Sequence, residues 1–277
     1  MADELVAAAI VPGMPHLLAT TDAAPSWSRL AAAVRTTGDR IRAAGAEVVV
    51  MVSTQWFTVL GHQVQLDPHL VGEHCDENWY RYPFGRQRYD LRVDTEFTST
   101  WADEIDRAGL QSRRTHYDGF PVDTGTMTAM NLLNPEHRLR LALVSCNLYA
   151  GPEAMSTVGA AATAAARRHG RRVAVVAVTG LSSALIQRWI SPAEDHVAQP
   201  GHEEWDRRML DLVVAGKQTE ALAQRAEYAA QAQADSQFRA YPFLTGAGLE
   251  QLGTGELLAY GPIWGTGAAV VKWTQEE

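Results

Sequence analysis

Val48-Val49-Val50-Met51-Val52 is an unbroken apolar run, β-branched except at Met51. Runs of this make-up form strands covered on both faces, as in the parallel sheets of α/β proteins. Residues 173–178 are a run of the same kind, residues 139–144 read as another buried strand interrupted at Arg140, and residues 5–10 read as a first strand. Helical stretches separate them. Leu30, Val34, Ile41 and Ala44 recur at helical spacing, with Ser26 as the expected cap. An Ala-rich helix is predicted over residues 152–169. Asp94 and Asp123 stand where they can cap helices running to about Ala108 and from about Gly125. A helical region follows from about His202, with Trp205, Met209, Leu212 and Val213 marking its apolar face. The end, "ELLAYGPIWGTGAAVVKW", reads as a hairpin whose glycines serve turns rather than a phosphate loop. With no internal repeat or linker, the expectation is a single α/β domain over residues 1–277. Its mainly parallel central sheet is flanked by helices.

Composition narrows the function. The formal net charge is −8, from 24 basic and 32 acidic residues, which argues against a nucleic-acid partner. Cys75 and Cys146, the two cysteines, form no disulfide framework and fit a reducing compartment. The start, "MADELVAAAIVPG", fits neither a signal peptide nor a membrane span. A cytoplasmic location is therefore expected.

In open α/β sheets, ligands bind outside the carboxyl ends of the strands. The run over 48–52 is expected to stop at Ser53-Thr54-Gln55-Trp56, which puts Gln55 on that edge. A neutral amide is a poor metal ligand and no base. The loop after the first strand, "VPGMPHLL", brings Gly13 and His16 to the same edge. Trp56, His62, Asp123 and Thr124 are further candidates for lining a pocket there. His62, His69, His74 and Cys75 lie close in sequence, yet in no recognised metal spacing, so a solvated surface excursion is expected. Ser182 and Ser183 follow a strand without the G-x-S-x-G elbow of a hydrolase.

Taken in order, "VPGMPHLL", "VVVMVSTQWF", "DENWYRYPFG", "YDGFPVDTGT", "SCNLY", "RRVAVVAVTGLS" and "YGPIWGTGAAVVKW" span almost the whole chain. Together they resemble the class III extradiol ring-cleaving dioxygenases of the protocatechuate 4,5-dioxygenase β-chain type. Within that family, the likeness is to α-type chains of aminophenol-cleaving enzymes.

The resemblance implies a reaction centre and its loss. Catalytic chains of the family hold Fe(II) by two histidines and a glutamate, with a further histidine as acid–base group. The Pro-His-x-Pro-His pattern reads here Pro12-Gly13-Met14-Pro15-His16, so Gly13 stands at the first ligand position and His16 matches the second, non-ligand histidine. The Ser-x-His-Trp pattern reads Ser53-Thr54-Gln55-Trp56, so Gln55 stands at the second. Ser183 follows the Leu181-Ser182 pair, where the acid–base histidine belongs, and Asp235 is placed at the glutamate. The implied role is a non-catalytic subunit without its own cofactor, supporting a homologous catalytic chain that carries Fe(II). Two alternatives stay open. One is an active dioxygenase using His62, His69 and His74. The other is a metal-free enzyme or aromatic-ligand binder with Gln55, Trp56, Asp123 and Ser183 in its pocket. Adding histidines at Gly13 and Gln55 is expected to rebuild in part an iron site with Asp235. Trp79, Tyr80, Tyr82 and Trp264 are expected to anchor the partner contact.

Overall fold

The computed structural model describes residues 4–74, 86–117, 119–184, 186, 188 and 190–274. Trp79, Tyr80, Tyr82 and Cys75 lie outside them. The strands are β1 (Leu5–Val11), β2 (Val48–Thr58), β3 (His62–Gln65), β4 (His69–His74), β5 (Gln87–Arg92), β6 (Ser112–Thr115), β7 (Arg140–Asn147), β8 (Val173–Val178), β9 (Glu256–Ile263) and β10 (Thr266–Thr274). The helices are α1 (His16–Ala19), α2 (Pro25–Ala43), α3 (Thr95–Arg107), α4 (Thr124–Leu133), α5 (Pro152–His169), α6 (Pro200–Val214), α7 (Gln218–Ala232) and α8 (Ala240–Gly246).

Eight strands form one sheet in the order β6-β3-β7-β2-β8-β1-β10-β9, while β4 and β5 pair separately. The centre, β7-β2-β8-β1, is parallel throughout. On one side β10 and β9 continue it antiparallel, and on the other β3 runs antiparallel to β7. Both faces are covered. Val48, Val50 and Val52 face the layer containing α3, α5 and α8, while Val49 and Met51 face α2 and α4. A two-sided core is why these strands carry no polar alternation.

Three expectations change. Helix α2 begins at Pro25, not at a Ser26 cap: its N-cap is Ala24, with proline at the first helical position. Proline does well there because its missing N–H needs no partner. The described part of the excursion after His62, up to His74, contains the strands β3 and β4. Finally, the second strand does not stop at Ser53. It runs on to Thr58 through an irregularity that shapes the site.

Candidate functional site

Strand β2 pairs residue for residue with β7 up to Ser53↔Ser145, and pairing resumes at Phe57↔Cys146. Thr54, Gln55 and Trp56 are thus extruded from the ladder, and a bulge of this kind re-aims side chains at the rim of a sheet. Thr54 turns inward and is buried, Gln55 is half-buried, and Trp56 packs near Phe120 with ring centres 6.1 Å apart.

Gln55 lies between two glycines. A Cβ added at Gly13 would sit 2.6 Å from Gly125 Cα, 2.7 Å from Val178 Cγ1 and 3.0 Å from Gln55 Nε2. A Cβ at Gly125 would meet Ser53 Oγ at 2.9 Å and Gln55 Cδ at 3.1 Å. The loop after β1 therefore packs backbone to backbone against the start of α4. Gly13 and Gln55 meet on one edge, as the βαβ reading requires.

Asp123 caps α4 as expected. Its Oδ1 accepts from Thr126 N at 2.9 Å and from Ser53 Oγ at 2.6 Å, while its Oδ2 is buried with no hydrogen-bond partner among the described residues. Thr124 Oγ1 lies 2.7 Å from His74 Nε2.

Asp235 is brought to the same edge. Its Oδ2 accepts from Thr54 Oγ1 at 2.6 Å, Gly180 N at 2.8 Å and Thr179 Oγ1 at 3.2 Å, and its Oδ1 accepts from Ser236 Oγ at 3.1 Å. Ser236, Gln237 and Phe238 then form a left-handed turn with φ of 47°, 56° and 54°. Such residues cost roughly 1–2 kcal/mol each outside glycine. The turn is held by Arg225 and Arg239, which donate to the Gln237 and Ser236 carbonyls.

Ser183 is exposed, whereas Ser182 is buried and no nucleophile. The Ser182 hydroxyl donates to Asp206 Oδ2 at 2.8 Å and accepts from Gly267 N at 3.1 Å. Asp206 also accepts from Ser182 N, Tyr228 OH at 2.7 Å and Tyr260 OH at 3.0 Å. Burial pushes the Asp206 carboxyl above the ordinary aspartate range. Sequence reasoning missed this residue. Its signal was a carboxylate on the stripe that α6 buries, with His202, Met209, Leu210 and Val213.

The histidines disperse. His16 is fully buried, 4.7 Å from the Trp27 ring centre and stacked at 6.0 Å on Trp264; burial pushes it down to about 3. His62, buried on β3, is pushed down to about 4 for the same reason. His69 and His74 end β4 at opposite sides, His69 paired with Asp90 at 2.7 Å. Trp264 is buried in its own chain, which removes it as an interface anchor. No described helix is long and apolar enough to cross a membrane.

Residues 8–271 match the family described as the catalytic LigB subunit of aromatic ring-opening dioxygenase. The chain belongs to the LigB family. It is 32% identical to the 2-aminophenol 1,6-dioxygenase alpha subunit of Pseudomonas sp, over 98% of this chain and 99% of that protein. The beta subunit of the same name is 25% identical, over 98% of this chain and 94% of that protein. A solved structure, of an uncharacterized protein from Escherichia coli K12, shares the fold with a TM-score of 0.65. Its identity is 12%, and the match covers 97% of this chain and 99% of that one.

The residues present at this edge do not fit the Fe(II) that the resemblance implies for catalytic chains. Gly13 offers no donor and no room for one. A Gln55 amide oxygen is a far weaker Fe(II) ligand than imidazole. Asp235 already receives three donors on one oxygen. Among the described residues no group of three or more His, Cys, Asp or Glu could hold a metal ion.

Proposed function

We propose that this chain is the non-catalytic, α-type subunit of a two-chain aromatic ring-opening dioxygenase of the 2-aminophenol or catechol type. Fe(II) then sits in a homologous catalytic partner, and Gly13, Gln55, Ser183 and Asp235 are degenerate positions of the former centre. One observation carries the reading: Gly13 and Gln55, the two positions where the family motif has histidine, lie so close that a Cβ at Gly13 would sit 3.0 Å from Gln55 Nε2, and they present no metal-binding donor set. The similarity to chains named alpha and beta subunits supports a hetero-oligomer. A cytoplasmic setting fits Cys146, a buried free thiol whose pKa burial pushes up to about 12.

The surface supports a partner too. Phe57 near the end of β2, Val59 and Leu60 just after it and Tyr149 just after β7 are exposed, and the two segments are joined by Leu148 N to Thr58 O and Asn147 Nδ2 to Gly61 O. Clustered exposed apolar residues mark contact surfaces. Co-expression with a β-type catalytic chain should yield a stable complex, and the lone chain should take up no oxygen with 2-aminophenol or catechol plus Fe(II). Leu60→Asp should weaken that complex about tenfold by sedimentation or calorimetry while leaving the fold intact, the loss of one well-packed contact. Iron-dependent turnover by the lone chain would defeat the proposal.

A residual role as an aromatic binder is favoured by one feature, the buried Asp123 Oδ2, which has no hydrogen-bond partner among the described residues. Titration of the lone chain with 2-aminophenol, followed by Trp fluorescence, tests it: no saturable change removes this second reading.

A further inference from the structure

Strand ends that surround a metal are held in place partly by the metal. Here the same ends are held by carboxylates. We infer that the ligand pocket has become a carboxylate-tied joint, in which Asp123 and Asp235 cross-link the loops and a Gly13–Gly125 backbone contact closes the space, so that restored histidines no longer restore a metal site. The inference rests on the reading of positions 13, 55 and 235 given above.

The steric half comes from Gly13. Its φ is not in the left-handed region, so conformation alone would tolerate a side chain. Space does not. The nearest obstacle to a Cβ is the Gly125 Cα, part of the backbone that opens α4, and it cannot swing aside as a side chain would. An imidazole at 13 therefore requires α4 or the loop after β1 to move. Movement of α4 is resisted by Asp123, which holds Ser53 Oγ and Thr126 N on one oxygen.

The polar half comes from Asp235. Three of its four donors come from outside its own turn: Thr54 in the bulge of β2, and Thr179 and Gly180 in the loop after β8. Asp235 N returns a bond to Leu181 O at 2.7 Å, so the loop is gripped in both directions. A carboxylate serving a metal must turn lone pairs toward it. The Oδ2 of Asp235 spends them on protein donors.

Thermal unfolding and metal titration of the full chain test the joint together. Asp235→Ala should lower Tm by about 5–10 °C, from several hydrogen bonds to one charged group lost at once. Asp235→Asn should recover more than half of that fall, since an amide oxygen still accepts from Gly180 N and Thr54. Gly13→Ala should also unfold earlier than the unaltered chain. The Gly13→His/Gln55→His protein, checked for folding by circular dichroism, should bind Co(II) within about threefold of the unaltered chain. Tight one-to-one Co(II) binding by the folded double variant would overturn the joint and leave the non-catalytic reading standing. Iron-dependent turnover by the unaltered chain would do the opposite. Collapse of the double variant is what a closed backbone contact entails, and the Asp235 pair then decides. An unchanged Tm in Asp235→Ala, or an Asn variant no better than Ala, overturns the joint.

Discussion

Asp206 and Asp235 grip the same loop from two sides. Asp235 takes Thr179 Oγ1 and Gly180 N, and Asp206 takes Ser182 N and Ser182 Oγ. Each receives four donor bonds. Their settings differ: Asp206 is fully buried on α6, while Asp235 opens a strained turn at the sheet edge. Only Asp235 is placed at a ligand position by the resemblance read from the sequence. Side by side, the two show that a carboxylate at the sheet edge can serve the same structural end as one in the interior. What decides is where its lone pairs go.

The comparison breaks first at Asp206→Ala. Removing that carboxylate leaves Tyr228 OH, Ser182 N and Ser182 Oγ without their acceptor in the interior. The expected loss is about 3–5 kcal/mol by urea unfolding, more than for Asp235→Ala. An equal or smaller loss would mean that burial does not separate the two sites.

Acidity sharpens it next. The Asp206 pKa is raised on folding, so the folded state binds that proton more tightly, and acidification favours the native chain through this group. The stability gap between the unaltered protein and Asp206→Asn should therefore widen as pH falls from 7 toward 4. Background losses run the other way. His62 and His16 are pushed down to about 4 and about 3, so their contribution is complete above their ordinary value of 6.5 and is lost as pH falls toward those values. For His62 that is ~3 kcal/mol between pH 6.5 and 4. A His62→Gln variant should show a flatter acid limb, and a limb as steep as before would reassign the loss.

The smallest test deletes one donor at a time. Tyr260→Phe and Thr54→Val each remove a single hydroxyl, from Asp206 and from Asp235. Each should cost ~1 kcal/mol in chemical unfolding, because three other donors remain. A far larger effect of Thr54→Val would point to a second job for the β2 bulge.

Much of the frame was legible because it follows from periodicity and caps. β8 and α5 match the predicted spans, and Asp94 and Asp123 cap their helices through Phe97 N and Thr126 N. The bulge in β2 was not legible, since Thr54 to Trp56 look like a strand end and the pairing that resumes at Phe57 is tertiary. The same holds for β3, a short strand whose partners β6 and β7 lie far along the chain. Gly13 and Gln55 were placed on one edge by topology alone. Asp235 came only from resemblance, and Asp206 from neither, because a single acid in an apolar stripe has no spacing to reveal it.

The hairpin at the end of the chain has a consequence for the order of folding. β9 and β10 are joined by Trp264 and Gly265, with φ of 52° and 87°. Two-residue hairpin turns with both φ positive favour Asn-Gly, and a bulky aromatic in the first position works against local closure. Here Asp195 supplies what the turn lacks, accepting Trp264 N at 2.7 Å and Gly265 N at 3.0 Å from 69 residues upstream or more, with Trp27 Nε1 on the same carboxylate. A hairpin is ordinarily a fast, self-sufficient nucleus; this one must wait for a distant clasp. The edge of β1 therefore stays unpaired during early collapse, open to mispairing with another chain. In pulsed hydrogen exchange, Asp195→Ala should delay protection of β10 amides while those of β2, β7 and β8 keep their pace.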